Sequence, residues 1–400
     1  MKSKPLAVLF AAVLVDMLGF GIVLPLLPFY AESMGATPLH ITLMVASFSA
    51  TQLAAAPLWG RVSDRHGRRP ILVAGLFASA FSYLIFGFAR NYWWLLFSRM
   101  AAGAAGGTIS VAQAYVADTT SHEERARGLG HLGAASGLGV MLGPAVGAFF
   151  SQWGLGAAGF VAAGFCTVNA IAAYFFVPES RVHRERRGEA ATLQGWLRSM
   201  VTYPMGVLLL VYFLTISSFN AFTSVLALFM ERSFGFNQKN MGLLFTVSGG
   251  TTVVVRGFLL GPLVKKFGEP TTIKVGIIAL GIALIGLPLL PNGNWAAFFV
   301  PWYALGAGTL FPALASLVSR ATDEDSQGSV LGGSQLVGGL GRVIGPLWSG
   351  YVFQTYGINT PFAIGAVVVA VAFMISFRIP APLARSVGGG ANSAPSQGRK

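Results

Sequence analysis

Stretches of about 20 apolar residues, each long enough to cross a hydrocarbon core of about 30 Å as a helix, follow one another along almost the whole chain. No water-soluble core could bury them all. Composition agrees, with 54% of the 400 residues hydrophobic and 10% charged, against about 25% charged in an ordinary soluble domain. The sequence therefore predicts an all-α polytopic membrane protein. Spans are placed at about 6–30, 39–60, 70–89, 93–117, 128–150, 155–177, 204–230, 239–262, 271–291, 295–319, 327–353 and 358–379, twelve in all. Met1-Lys2-Ser3-Lys4 opens like a secretory leader. The apolar stretch behind it is too long, however, and no small-x-small cleavage site closes it, so it is read as the first span.

Twelve spans return both termini to one side. If that side is the cytoplasm, Arg90, Arg232 and Lys239 fall outside, Arg99, Arg256 and Arg342 fall within spans, and all other Lys and Arg lie inside. The positive-inside rule fixes this orientation and points to a cell (inner) membrane. The net charge of +13 thus reports topology and not a nucleic-acid partner. The segment 178–203, with Arg181, Arg184, Arg186, Arg187 and Arg198, reads as a cytoplasmic linker. It joins an N-terminal six-helix half at 1–177 to a C-terminal half at 204–379. Residues 380–400, rich in Gly, Ser and Ala, read as a disordered cytoplasmic tail. Cys166 is the one cysteine, and the five histidines form no ligand-spaced cluster, so no metal is expected.

The halves repeat. Gly60 and Gly67 after the second span recur, at one constant separation, as Gly261 and Gly268 after the eighth. Gly139, Gly143 and Pro144 of the fifth span likewise recur as Gly341, Gly345 and Pro346 of the eleventh. Repeats of this kind place a site between two halves near the membrane midplane. Gly139, Gly143 and Gly147 are spaced by four, so they form one stripe on which a facing helix can lie close, and Pro144 bends the span.

The segment Gly60-Arg-Val-Ser-Asp-Arg-His-Gly-Arg-Arg-Pro70 resembles the signature loop of the major facilitator superfamily. Leu95-x-x-x-Arg99-x-x-x-Gly103 and Gly139-x-x-x-Gly143-Pro144-x-x-Gly147 resemble segments of its twelve-helix drug/proton antiporters. Asp16-Met-Leu-Gly19-Phe-Gly21-Ile-Val-Leu-Pro25-Leu-Leu-Pro28 is similar to the opening of tetracycline-efflux-like members. The resemblance runs to about residue 380. It implies the major facilitator fold of two pseudo-symmetric six-helix halves, and alternating access driven by a proton gradient with no cofactor. It also implies a cytoplasmic gate built from Gly60, Asp64, Arg65, Gly67, Arg68 and Arg69. In that gate Asp64 faces the start of the eleventh helix and Arg68 pairs with an acid such as Asp118. Asp323-Glu324-Asp325 precede that helix here and would repel Asp64. Tetracycline exporters carry an acid in the ninth helix where this chain has Leu280, so tetracycline is not the expected cargo.

Asp16 is the only acid placed within a span, roughly 15 Å deep at 1.5 Å per residue. It must be protonated, paired or facing water. Arg99 enters from the opposite face and can approach it, and the resemblance associates both positions with proton coupling. Arg342 near the midplane and Arg256 deeper toward the cytoplasm add positive charge, which favours an anionic or zwitterionic substrate; snorkelling explains Arg256 equally well. Asn220, Gln52, Gln113, Gln335, Tyr115 and Tyr303 are neutral polar candidates, or interhelical hydrogen-bonding groups. The chain has no Gly-x-x-x-x-Gly-Lys-Ser/Thr loop, no His-Glu-x-x-His pair and no intramembrane acid pair, so ATP-driven and hydrolytic chemistries lack their parts. The reading is a proton-coupled exporter of small amphipathic molecules, working as a monomer with substrate, protons and lipid as partners. The alternatives are a facilitator or proton symporter for a small organic anion or zwitterion, and a non-transporting receptor of the same fold.

Overall fold

A computed structural model describes residues 3–120, 122–179, 200–322 and 327–380. Most of the expected linker, the acids Asp323-Glu324-Asp325 and the tail 381–400 lie outside the described residues. The first six helical rods are α1 (Ser3–Val23), α2 (Pro38–His66), α3 (Arg68–Phe88), α4 (Tyr92–Ala105 and Thr108–Thr119), α5 (His122–Phe150) and α6 (Ala157–Phe176). Then come α7 (Met205–Phe234) and α8, which starts as Gln238–Val254 and runs on through a π turn at Val255–Leu259. The continuous element Leu260–Gly286 bends at Gly268, where φ is +77°; 260–267 completes α8 and 269–286 forms α9. The last three are α10 (Ala296–Arg320), α11 (Gln327–Tyr356) and α12 (Thr360–Ser376). By length and hydropathy alone, eight helical stretches among the described residues are able to cross a membrane, one of them the 52-residue stretch that Gly268 divides.

Local chemistry sets the ends of these rods. The first span was expected to run to residue 30, but α1 stops at Val23 and a separate short helix spans Leu27–Glu32. Pro25 lacks the N–H an α-helix needs. Thr37, Asn91 and Asn237 each accept a backbone N–H three residues on, from His40, Trp94 and Asn240, the usual cap of a helix start. The signature segment was expected to be a loop from Gly60 to Pro70. It is helical to His66, and the turn is one residue, Gly67 at φ +99°, a conformation that costs other residues a Cβ clash. Gly268 makes the matching turn in the second half.

Small residues let the rods approach to backbone contact. A Cβ on Gly143 would lie 2.6 Å from the Gly21 Cα, and one on Gly147 2.6 Å from the Ile22 carbonyl oxygen. The glycine stripe of α5 therefore packs on α1 within its own half. Gly341 and Gly345 pack α11 on α7 in the same way, against Ile216, Ser217 and Ala221. Gly103 brings α4 against Phe48 and Thr51 of α2. Large aromatic residues face outward, among them Phe88, Trp93, Phe175 and Phe258, each at least 70% exposed, as lipid-facing side chains are.

The halves meet along α2 with α11 and α5 with α8, toward the end that holds residues 32–38 and 235–237. There Gly350 sits on Thr42, Gly242 on Ala148 and Gly249 on Met141. The Leu39 N–H donates to Gln354 Oε1 at 3.2 Å, and Arg232 pairs with Glu32 at 3.0 Å. At the opposite end, rich in Arg and Lys, the same four helices stand apart. Among the described residues, a Cβ at Gly60 of α2, Gly130 or Gly133 of α5, Gly257 or Gly261 of α8, or Gly332 of α11 would meet nothing within 4 Å. The molecule is closed at its far end and open at its basic end.

Candidate functional site

Asp16 is 5% exposed, and its partners belong to α3 and α6. Ser79 Oγ donates to Asp16 Oδ1 at 3.2 Å, and Tyr83 and Cys166 are its electrostatic neighbours. Of the three options open to a carboxyl at this depth, a water-facing position is not the one adopted. Arg99 is 4% exposed. Its Nε reaches Ser98 Oγ at 3.4 Å, and its guanidinium carbon lies 4.9 Å from the Phe86 ring centre and 5.7 Å from that of Tyr83. Its Nη2 has no hydrogen-bond partner. The expected Asp16–Arg99 pair is absent from the ion pairs of the described residues. Tyr83 stands beside both: its ring fills the space over Gly19, where a Cβ would lie 2.7 Å from it. Ser79, Tyr83 and Phe86 follow one another at helical spacing on α3, a pattern that marks one face and was open to notice in the sequence.

Arg99 also borders a small, open and mostly apolar cleft between α1, the short helix Leu27–Glu32, α2 and α4. Arg342 lies elsewhere, half-buried on α11 with its guanidinium in hydrogen-bond contact with Tyr212 of α7. Arg256 is exposed on the π turn of α8, a distortion often found at functional positions. Gln52 packs over Gly106, where its Nε2 would be 2.8 Å from an added Cβ; this is the break in α4. Gln113 and Gln335 are exposed, and Asn220 donates to the Ile216 carbonyl of its own helix at 2.8 Å. Tyr115 and Tyr303 have their hydroxyls engaged within the protein. The Tyr115 hydroxyl donates to the Pro178 carbonyl at 2.9 Å, and Tyr303 stacks between Phe219 and Phe222 and bonds to Thr223.

At the basic end Arg68 is a hub. Its Nη1 lies 2.6 Å from Asp64 and its Nε 3.0 Å from Asp118, while Nη1 also donates to Ser63 Oγ at 2.7 Å. The Arg68–Asp118 pair is the one the sequence led us to expect. Glu179, just past α6, was not foreseen. Its carboxylate accepts the Arg68 backbone N–H at 2.8 Å and occupies the space a Cβ on Gly67 would need. It thereby caps the start of α3, where a carboxylate is favourably placed. Arg69 lies over the Tyr174 ring at 5.1 Å. The second half repeats the arrangement with charges exchanged: Glu269 at the start of α9 pairs with Arg320 at the end of α10 at 3.0 Å and accepts from Ser316.

A family model described as Major Facilitator Superfamily matches residues 9–346 and, in a second match, 208–396. The chain belongs to the Major Facilitator Superfamily. Among relatives in the superfamily, it is 30% identical over 347 residues to the tetracycline resistance protein, class B, of Escherichia coli, covering 85% of this chain and 86% of that one. It is 29% identical over 373 residues to multidrug resistance protein 2 of Bacillus subtilis, covering 91% and 92%. Among solved structures it resembles the human organic anion transporter MFSD10 (TETRAN), with a TM-score of 0.70, 25% identity and coverage of 94% of this chain and 99% of that one. The nucleoside transporter NupG shares the fold with a TM-score of 0.78 at 13% identity. The chain is thus a multi-pass membrane protein of the major facilitator fold.

Proposed function

We propose that this major facilitator is a proton-coupled exporter of small amphipathic molecules. It works as a monomer in the cell membrane with both termini and the basic end in the cytoplasm. The observation that carries the reading is the one-sided opening: the four glycine-bearing gate helices are in contact at the far end and apart at the basic end. That is the cytoplasm-open state of an alternating-access cycle, ready to take cargo from the cell. The names of its relatives, resistance proteins against tetracycline and against many drugs, support export.

Asp16 is the proton carrier in this reading. A buried carboxyl with one hydroxyl partner and no cation within 4 Å is least costly as the neutral acid. For proton and substrate to be coupled, both must bias the same two-state equilibrium. The proton therefore leaves when rearrangement of α1 against α3 opens Asp16 to water. Asp64, Arg68 and Asp118 belong to the cytoplasmic gate in this reading. Tyr83, between Asp16 and Arg99, links the two charges without an ion pair.

Proteoliposomes with an interior pH dye, given a panel of drugs, organic acids and zwitterions, test the proposal. Substrate-dependent proton flux that Asp16→Asn abolishes is the expected result. Full pH-driven transport by that variant would remove Asp16 from the mechanism. Substrate flux without proton movement would instead make the protein a facilitator.

A further inference from the structure

We infer that Glu32 and Glu231 form a proton-operated latch between the halves: the far end closes when the two carboxyls share one proton and is released when both are ionised. The inference rests on the alternating-access reading above, in which the far end faces outside. Glu32 ends the short helix Leu27–Glu32 that precedes α2, and Glu231 stands in the last turn of α7. Gly235, at φ +66°, closes that turn by donating its N–H to the Glu231 carbonyl at 2.8 Å, which fixes the residue where the halves meet. There its carboxyl is in hydrogen-bond contact with that of Glu32. Two carboxylates offer acceptors only, so such a contact needs a proton between them.

The surroundings place that proton on Glu231. Arg232 pairs with Glu32 at 3.0 Å, so Glu32 is the ionised partner. Glu231 Oε2 is shut off from water and has no hydrogen-bond partner among the described residues, a costly position for a carboxylate. The last turn of a helix is also its negative end, where a further negative charge is unfavourable. Among the described residues, Glu32 and Arg232 are the charged groups that act on Glu231. From α11 it is the Phe353 ring that meets Arg232, at 5.4 Å, and it brings no charge. The side chains of Arg232 and Glu32 are 40% and 23% exposed, which leaves the pair open to protons from outside. When both carboxyls are ionised, Arg232 offsets one charge and the carboxylates repel. The closed far end thus binds one proton more tightly than the open one, so acid favours closure and rising pH releases it. A carrier that has released its cargo outside then shuts only after taking up a proton there.

The test uses the full chain in lipid nanodiscs, without substrate or gradient. Spin labels at the exposed residues Gln152 and Asn294, one in each half, report the far-end separation in a Cys166→Ala parent. Raising the pH from about 5 to about 8.5, across the release of a proton shared by two carboxyls, is expected to raise the open population of the parent at least about threefold. Glu231→Gln, whose amide donates to Glu32 at any pH, is expected to stay closed throughout. Glu32→Gln is expected to flatten the response as well, and it covers the case in which Glu231→Gln does not fold. His40, at the same end, packs on Tyr92 of α4 with ring centres 4.8 Å apart, so it stays within the first half and His40→Gln is expected to keep the full response. A parent whose separation ignores pH would overturn the inference. So would a full response in folded Glu231→Gln, or one that persists in both Glu variants and vanishes in His40→Gln or Asp16→Asn. The separation is read without transport, so the latch can fail while Asp16-dependent proton flux stands, and that flux can fail while the latch stands.

Discussion

In the proposed mechanism a single buried carboxyl carries the proton, and its surroundings decide how it can act. Asp16 receives one hydrogen bond, from Ser79. Ser82, one turn along the same helix, donates instead to the Ser79 carbonyl at 2.7 Å. Ser79→Ala removes the Asp16 contact, an interaction of about 1 kcal/mol, and is expected to slow pH-driven transport about fivefold while Ser82→Ala leaves it unchanged. Initial rates in proteoliposomes check this, and equal losses in both variants would assign the effect to α3 as a whole. The sequence singled out Asp16 and Arg99, since an ionisable residue inside an apolar run stands out, and the fold buries both. It could not place Tyr83 between them, because which side chain fills the space over Gly19 depends on the rotation of α3 against α1. Leu280 was legible only as a missing acid; in the fold it is fully buried and meets Gly306 of α10.

Whole helices show a division of labour among glycines that spacing alone did not reveal. Gly143 touches Gly21 backbone to backbone, whereas Gly133 and Gly257 face empty space. Gly143→Ala is therefore expected to destabilise the protein by about 1–3 kcal/mol through overpacking, seen as a lower melting temperature in detergent. Gly133→Leu and Gly257→Leu are expected to melt like the wild type and yet lose transport, because the basic ends of α5 and α8 can no longer meet. A normal transport rate in both would show that these ends never close on each other. The sequence repeat announced the Gly139 stripe and its counterpart in α11, since glycine identity is conserved between the halves here. It concealed the exchanged ion pair, because Glu269–Arg320 matches Arg68–Asp118 in position but with opposite residue types. Glu269 is 3% exposed, so Arg320→Ala leaves a buried carboxylate with Ser316 as its described partner. A loss of about 1–3 kcal/mol is expected, with recovery in the charge-exchanged double variant Glu269→Arg, Arg320→Asp; no recovery would mean the pair acts through shape and not charge.

On the scale of the molecule, the two halves are held at the far end by a small charged clasp whose parts are unequal. Arg232 of α7 pairs with Glu32, just before α2, at 3.0 Å and lies over the Phe353 ring of α11. The Glu231 carboxyl also reaches Glu32, and Arg232 acts on it electrostatically. One cation thus serves two carboxyls drawn from both halves. Glu32→Ala removes the cross-half pair but leaves Arg232 beside Glu231. Since a half-exposed pair contributes about 0.2–1 kcal/mol, the far end should open by a factor of about 1.4–5 in population. Arg232→Ala does more, because it leaves two carboxyls facing each other with no counter-charge, and like charges in contact repel. Spin labels at the exposed far-end residues Gln152 and Asn294, one in each half and in a Cys166→Ala background, report the separation. The expected order of open population is Arg232→Ala above Glu32→Ala above wild type. The double variant should fall back toward Glu32→Ala, since removing Glu32 also removes the repulsion that Arg232 had balanced. Equal distances in all four proteins would mean that the apolar and glycine contacts of α2 with α11 and α5 with α8 hold the far end by themselves.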